Sequence, residues 1–220
     1  MSTYSFLDSS KKLFEDTHTA MTVDNHKQHD VEPNYWEHII KHVSKNAEYW
    51  QGKRALDFGC GCGRNIKNLL DHSNFDQVDG VDISSQNAEY AKRYALQHHP
   101  KAKVHTWEND GKTLDPCDNN TYDFIMSHQV IQHIGNYDIR LSLLKDMHRV
   151  LNTGGMICLH YMSMDGSTYY ESGDSLKNMI VEDPNYIIKD LELIGFTEVE
   201  YVQSKDHYLK RDEYYFTAVK

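Results

Sequence analysis

The chain has 220 residues, with 33 acidic against 23 basic side chains and a formal net charge of -10. This length can bury the core of one ordinary domain, so we predict a single domain over residues 1–220. Such an acidic surface repels phosphate backbones, which disfavours nucleic acid as a partner. The four cysteines form no disulfide framework, and no apolar run has the length of a signal peptide or a membrane span. We therefore expect a cytoplasmic protein with no membrane partner; the composition leaves the oligomeric state open.

The first predicted element is a helix that begins at Pro33, because proline is favoured in a first helical turn. Its apolar residues recur at three- and four-residue spacing and form one face: Trp36, Ile39, Ile40 and Val43.

Strands and helices then alternate along the chain. Strands are predicted at 54–58, 77–82, 102–107, 122–127 and 155–161, and helices at 64–71, 85–98, 136–151 and 184–194. Two further strand-like runs, 197–203 and 213–220, predict an antiparallel C-terminal hairpin. The alternation predicts an α/β fold with a seven-stranded, mainly parallel sheet and helices on both of its faces.

The first predicted strand is followed by a turn without side chains. Residues 55–65 read ALDFGCGCGRN, so that Gly59, Gly61 and Gly63 lie between a buried strand and a helix. A strand, a bare turn and a helix N-terminus together form a nucleotide-sized pocket. Asp82 ends the next strand, where an acid can bind the two hydroxyls of a ribose.

The identity of the nucleotide follows from two neighbouring residues. A dinucleotide fingerprint would need a third glycine at position 64, which is Arg64. Asp57, two residues before the turn, would repel a bound pyrophosphate. S-adenosylmethionine has no phosphate and carries two positive charges, so it suits an acid at this place. These residues disfavour an NAD-dependent oxidoreductase.

The motif D-x-G-x-G-x-G that begins at Asp57 resembles the first motif of class I S-adenosylmethionine-dependent methyltransferases. The resemblance continues over roughly residues 50–160. It implies a Rossmann-like fold, with S-adenosyl-L-methionine as cofactor and S-adenosyl-L-homocysteine as product. It also implies a core over residues 51–220 and an N-terminal cap or lid over residues 1–50. The cofactor-binding residues that it implies are Asp57, Gly59, Gly61, Gly63, Asp82, Ile83, Asp110, Gly111 and Ser127.

Each implied acid also has a local structural interpretation. Asp57 is expected to orient the turn and the methionyl ammonium, but a strand-end acid also bonds nearby backbone. Asp82 is expected on the ribose, with a solvated loop acid as the alternative. Asp110 is expected on the adenine amino group, although aspartate is common in turns anyway. Ile83 is expected to pack on the adenine.

The residues after the fourth strand are expected to face the methyl group, and this stretch is similar to phosphoethanolamine methyltransferases. His133 and His128 are the predicted catalytic residues, because an imidazole with a pKa of about 6.5 can act as a base at neutral pH. The alternative for both is packing on their neighbours. The predicted substrate-binding residues lie here, on the fifth strand and in the loop after it: Gln129, Tyr161, Tyr169 and Tyr170.

The predicted reaction is in-line transfer of a methyl group to oxygen or nitrogen of a small molecule. Fixed geometry alone can lower such a barrier by about 7–11 kcal/mol, and a base is needed only if the acceptor must lose a proton. The acidic surface favours a neutral or cationic acceptor. A cationic acceptor could form cation–π contacts with four candidate aromatic residues: Tyr35, Trp36, Tyr169 and Tyr170. No metal site is predicted. Alternatives are a protein or RNA methyltransferase and a non-catalytic S-adenosylmethionine-binding module.

Overall fold

The structure is a computed structural model that describes residues 11–12, 15, 35–45, 47–134, 136–162, 183–205 and 212–220. The chain forms two compact units, residues 1–111 and residues 112–220. Among the helices that the structure describes, none is both long enough and apolar enough to cross a lipid bilayer.

Helical turns precede the first strand, as predicted. They are a π-helical turn (Trp36–Ile40), helix α1 (Lys41–Lys45) and a 3-10 turn (Ala47–Trp50). The side chains of Ile39, Ile40 and Val43 are fully buried, which confirms three members of the predicted apolar face. The Trp50 indole donates to the Val43 carbonyl oxygen over 3.2 Å. Whether residues 1–50 form a cap stays a prediction.

The first unit contains three parallel strands in the order β3-β2-β1. They are β1 (Arg54–Phe58), β2 (Gln77–Asp82) and β3 (Thr106–Glu108), with helix α2 (Arg64–His72) after β1 and helix α3 (Ser85–His98) after β2. Each helix serves as the crossover that a parallel pair of strands requires. The carboxyl ends of β1 and β2 therefore meet at one edge of the sheet, where the glycine turn begins.

The third strand is shorter than predicted. The prediction was 102–107, but the strand is Thr106–Glu108, with one isolated bridge between Gln77 and Lys103 before it. The reason is a competing side chain, because the His105 amide donates to the buried Asp79 carboxylate over 3.0 Å. This amide bonds a side chain of β2, so it adds no backbone hydrogen bond to the pairing of β3 with β2, which begins only at Thr106.

The second unit contains four strands in the order β4-β5-β7-β6. Strands β4 and β5 are parallel, while β7 is antiparallel to both β5 and β6. This confirms the mainly parallel α/β class and the antiparallel C-terminal strands. The elements are β4 (Tyr122–Ser127), a 3-10 turn (Ile131–His133), α4 (Tyr137–Val150), β5 (Leu151–Met162), α5 (Pro184–Ile194), β6 (Thr197–Lys205) and β7 (Asp212–Val219).

The fifth strand starts earlier than the predicted 155–161. It begins at Leu151 and contains Gly154 at a φ of 77°, and its register against β4 shifts between Tyr122 and Phe124. An irregularity in the pairing thus accommodates the Gly-Gly pair within the strand.

Consecutive residues of two strands are fully buried. Leu56 and Asp57 in β1, and Phe124, Ile125 and Met126 in β4, have no exposed surface. Because successive side chains of a strand point to opposite faces, both faces of these strands are covered. Asp57 is a carboxylate among these buried apolar residues. A fully buried acid is uncommon, so Asp57 marks the candidate site.

Candidate cofactor and acceptor sites

The glycine turn is fixed to the end of β2 by backbone hydrogen bonds. The amides of Gly59 and Cys60 both donate to the Val81 carbonyl oxygen, over 2.8 and 3.0 Å. The Gly63 amide donates to the Cys60 carbonyl oxygen over 2.9 Å, which closes the turn before α2. The three predicted glycines thus lie in one ordered loop at the strand edge.

Two of these glycines have different surroundings. A Cβ atom on Gly63 would lie 2.7 Å from the Ala91 Cα atom, so Gly63 permits the close approach of α3. A Cβ atom on Gly61 would meet nothing within 4 Å. Open space therefore lies beside Gly61, which is the arrangement that a ligand pocket requires.

Asp57 is fully buried at the start of this turn. The Asn65 side-chain amide donates to its Oδ1 atom over 3.3 Å, while Oδ2 has no hydrogen-bond partner within the described part of the chain. Burial, reinforced by the charge of Asp82, raises the pKa of Asp57 from 3.8 to about 7, although Asn65 and Arg64 act in the opposite direction. A buried carboxylate oxygen without a donor is costly, and a positively charged ligand would relieve that cost.

Asp82 joins the turn to the start of α3. Its Oδ2 accepts from the Gly61 amide over 2.9 Å, and its Oδ1 accepts from the Ser84 amide over 2.9 Å and from the Asn87 side chain over 3.3 Å. These bonds brace the glycine turn against the start of α3, which agrees with a local structural role. The ribose role of Asp82 stays a prediction.

The remaining predicted residues of the first unit follow β2 and β3. Ile83 is half-buried directly after Asp82. The Asn109 amide donates to the Asp82 carbonyl oxygen over 3.0 Å, which holds the loop after β3 against the end of β2. Asp110 is exposed in that loop, and Gly111 has a φ of 73°. Asp110 lies two residues beyond the end of β3, so its turn interpretation also stands.

The structure adds polar residues that were not predicted, namely Asn65 on Asp57 and Ser84 and Asn87 on Asp82. Ser84 caps α3, since its hydroxyl accepts from the Asn87 amide over 3.3 Å, and a serine before a helix is a recognisable signal. Spacing alone gave no signal for Asn65, because its contact depends on how the turn folds α2 against β1.

Tyr35 is not open to a cationic acceptor. Its ring is 2% exposed and lies 4.8 Å from the Arg64 guanidinium carbon. Its hydroxyl accepts from the Asn68 side chain over 3.3 Å. The cation–π partner of Tyr35 is thus Arg64 of the same unit.

The predicted acceptor residues lie at the end of β4 in the second unit. Ser127 and His128 are buried, and Gln129 follows at a φ of 59°. The backbone amide of Gln129 donates to the Nδ1 atom of His160, over 3.2 Å. His133 is half-buried at the end of the 3-10 turn.

Four buried polar side chains pack together around His160, and we name them the buried histidine cluster: His128, His160, Glu213 and Tyr215. The His160 ring lies 4.6 Å from the His128 ring and 4.8 Å from the Tyr215 ring. The Nε2 atom of His160 is 3.9 Å from Glu213 Oε2, which accepts from the Tyr215 hydroxyl over 2.9 Å.

Tyr161 adjoins this cluster along β5. It is buried, and its hydroxyl has no hydrogen-bond partner among the residues that the structure describes. Burial raises the pKa of Tyr161 well above its ordinary value. Tyr169 and Tyr170 lie outside the described residues.

Residues 55–155 match the family model described as "Methyltransferase domain". The chain is 24% identical over 165 residues to phosphoethanolamine N-methyltransferase 2 of Caenorhabditis elegans, which covers 75% of this chain and 36% of that protein. It is 33% identical over 121 residues to demethylmenaquinone methyltransferase of Staphylococcus epidermidis, which covers 54% of this chain and 47% of that protein. The chain thus spans less than half the length of either curated relative.

A solved structure also has this fold. It is the 1,6-didemethyltoxoflavin-N1-methyltransferase of Burkholderia thailandensis, with bound 1,6-didemethyltoxoflavin and S-adenosylhomocysteine. The TM-score is 0.76 at 16% identity, and the match covers 100% of this chain and 91% of that one. At this identity the likeness shows the fold alone. Residues 55–155 therefore match the methyltransferase domain family, and the chain has the class I fold of that S-adenosylhomocysteine-bound methyltransferase.

Proposed function

We propose that the protein is an S-adenosylmethionine-dependent methyltransferase that acts on oxygen or nitrogen of a small molecule. The observation that carries this proposal is the buried Asp57 carboxylate, whose Oδ2 atom meets no donor within the described residues, beside a turn without side chains. A cationic ligand stabilises such a carboxylate and a pyrophosphate destabilises it. This favours S-adenosylmethionine over NAD as the cofactor.

The cofactor supplies a methyl group that its positive sulfur has already activated. Asp57 would bind the methionyl ammonium and Asp82 the ribose hydroxyls, with Asp110 and Ile83 on the adenine. Gly61 keeps its side of the turn open for these contacts. Different residues would thereby bind the methionyl part and the nucleoside part of the cofactor, which would restrict the orientation of its methyl group.

The acceptor needs residues that orient it and, where it carries a proton, a base. His133 is the proposed base, because its side chain is only half-buried, whereas His128 is buried beside the His160 and Tyr215 rings. Both stay proposed catalytic residues. Gln129 and Tyr161 are proposed to bind the acceptor, and the buried Tyr161 hydroxyl lacks a partner among the described residues.

The acceptor class is proposed from charge and from the relatives. The net charge of -10 favours a neutral or cationic small molecule over RNA. The relatives act, by their names, on phosphoethanolamine and demethylmenaquinone, which differ widely. A protein substrate and a non-catalytic binding role are the alternatives, and the open glycine turn disfavours loss of function. The four cysteines all lie within the described residues and none of them is in a disulfide, which supports a reducing, cytoplasmic setting.

Thermal unfolding with added ligands tests the cofactor. At a hundred times its dissociation constant, S-adenosylmethionine is expected to raise the free energy of unfolding by about 2.7 kcal/mol. S-adenosylhomocysteine should do the same, because it retains the ammonium and the ribose. NAD at equal concentration is the control and should leave the transition unchanged. Stabilisation by NAD alone would contradict the proposal.

Release of S-adenosylhomocysteine identifies the acceptor. The panel is phosphoethanolamine, demethylmenaquinone and 1,6-didemethyltoxoflavin, together with a small protein and a short RNA. Turnover with a small molecule supports the proposal. Turnover only with the protein or the RNA supports the corresponding alternative, and binding of the cofactor without turnover on any of them supports a non-catalytic module.

A further inference from the structure

We propose that His160 is a positioning residue, which holds Gln129 and thereby the acceptor loop, defined here as residues 128–134. This inference rests on the proposed function, because that function makes Gln129 and His133 contacts of the acceptor. The connection is the hydrogen bond from the Gln129 amide to His160 Nδ1, over 3.2 Å. It joins the end of β4 to the fifth strand, which carries His160.

The backbone of Gln129 needs such a hydrogen bond. Its φ of 59° lies in the left-handed region, which is unfavourable for most residues other than glycine and asparagine. The hydrogen bond to His160 Nδ1 is made in this conformation and offsets part of its strain. The conformation also sets the direction in which the chain leaves β4, and so the place of the 3-10 turn that carries His133.

The same contact fixes the state of the His160 ring. Because Nδ1 accepts a hydrogen bond, the proton of the neutral ring is on Nε2. Nε2 lies 3.9 Å from Glu213 Oε2, and both side chains are fully buried. The carboxylate favours the protonated Nε2 electrostatically, so Glu213 selects the tautomer that leaves Nδ1 free to accept.

Packing holds the ring in place. His160 and Tyr215 are directly opposite each other in the antiparallel pairing of β5 and β7, with ring centroids 4.8 Å apart. Glu213 is two residues from Tyr215 and so lies on the same face of β7, where the Tyr215 hydroxyl donates to it over 2.9 Å. The His128 ring lies on His160 at 4.6 Å. The position of His160 Nδ1, which accepts the hydrogen bond from Gln129, is therefore fixed before any substrate binds.

Two substitutions separate positioning from simple packing. In His160→Asn the side-chain carbonyl oxygen can take the place of Nδ1 and accept from Gln129. In His160→Gln the longer side chain places its amide group where Nε2 lies in the wild type. The Gln129 backbone amide then has no hydrogen-bond acceptor at the position of Nδ1. Both variants lose the ring, so a role in packing alone would affect them equally.

Nitrogen NMR gives a readout that needs no substrate. In the wild type, His160 is expected to show an unprotonated Nδ1 and a protonated Nε2, and the Gln129 amide signal should be retained in His160→Asn and displaced in His160→Gln. His148→Asn is the control, because His148 packs edge-on against Phe196, 4.9 Å away, and should leave that signal unchanged. A protonated Nδ1 in the wild type, or an unmoved Gln129 signal in His160→Gln, would overturn the proposal.

Kinetics with the acceptor found in the panel completes the test. We expect His160→Gln to raise the KM for the acceptor about tenfold, His160→Asn to recover most of that loss, and the affinity for S-adenosylhomocysteine to stay unchanged in both. Equal effects of the two substitutions would overturn the positioning role. If the wild type binds S-adenosylmethionine but methylates nothing, the proposed function fails, while the NMR result still decides whether His160 positions Gln129.

Discussion

Gly63→Ala is expected to lower the free energy of unfolding by about 3 kcal/mol. A φ of 86° costs a residue with a Cβ atom about 1–2 kcal/mol, and overpacking a tight contact costs about 1–3 kcal/mol more. The new Cβ would lie 2.7 Å from Ala91 Cα and 2.8 Å from its carbonyl oxygen. These are backbone atoms of α3, which cannot rotate away as a side chain could. Urea unfolding of the protein without cofactor measures the loss.

Gly61→Ala is the matched control two residues away. Its φ of 48° is also positive, but its Cβ would meet nothing within 4 Å, so only the backbone strain of about 1 kcal/mol is expected. The affinity of this variant for S-adenosylmethionine should nevertheless fall, because the methyl side chain of the new alanine occupies the open space beside the turn. That space lies next to the residue 61 backbone amide, which donates to Asp82. Equal destabilisation by the two substitutions would show that contact with α3 is not the reason for the glycine at position 63.

Local pattern was sufficient for many of the elements. Strands β1, β2 and β4 and helices α3 and α5 have the predicted bounds, since each is a periodic segment with a clear turn or cap beside it. The third and fifth strands differ for reasons that lie far along the chain. Asp79 captures the His105 amide from 26 residues away, and the pairing irregularity in β5 depends on the register of β4.

The candidate site divides in the same way. The turn, Asp57 and Asp82 could be predicted because one motif specifies a strand end, a bare loop and the next strand end. Glu213 could not, because only the pairing of β5 with β7 brings it to His160. An acidic residue in a C-terminal strand reads as an ordinary edge residue until that register is known.

Asp57→Asn is expected to stabilise the protein without cofactor at high pH. The ordinary carboxyl pKa is 3.8, and burial is the main cause that raises the pKa of Asp57 to about 7. Between pH 3.8 and about 7, the folded state therefore keeps a proton on Asp57 that the unfolded state has lost. The stabilisation from neutral Asp57 is complete below pH 3.8 and is lost as the pH rises through 7. About three pH units correspond to at most about 4 kcal/mol.

Asparagine cannot ionise, so the variant escapes this loss. Its free energy of unfolding relative to the wild type should increase by up to about 4 kcal/mol between pH 4 and pH 8.5, as measured by urea unfolding at both pH values. The control is Asp138→Asn, which removes one negative charge from an exposed position on α4. A difference between Asp57→Asn and the wild type that is constant with pH would mean that the carboxylate is not destabilised in the fold.

Cofactor affinity should change in the opposite direction. A cation beside Oδ2 favours the ionised carboxylate, so binding to the wild type is coupled to loss of the Asp57 proton. Calorimetry is expected to show affinity for S-adenosylmethionine falling towards tenfold per pH unit below pH 7, while Asp57→Asn binds weakly with little dependence on pH between 5 and 7. The substitution that stabilises the free protein would thus weaken the complex, which is the behaviour of a residue kept for binding and not for folding.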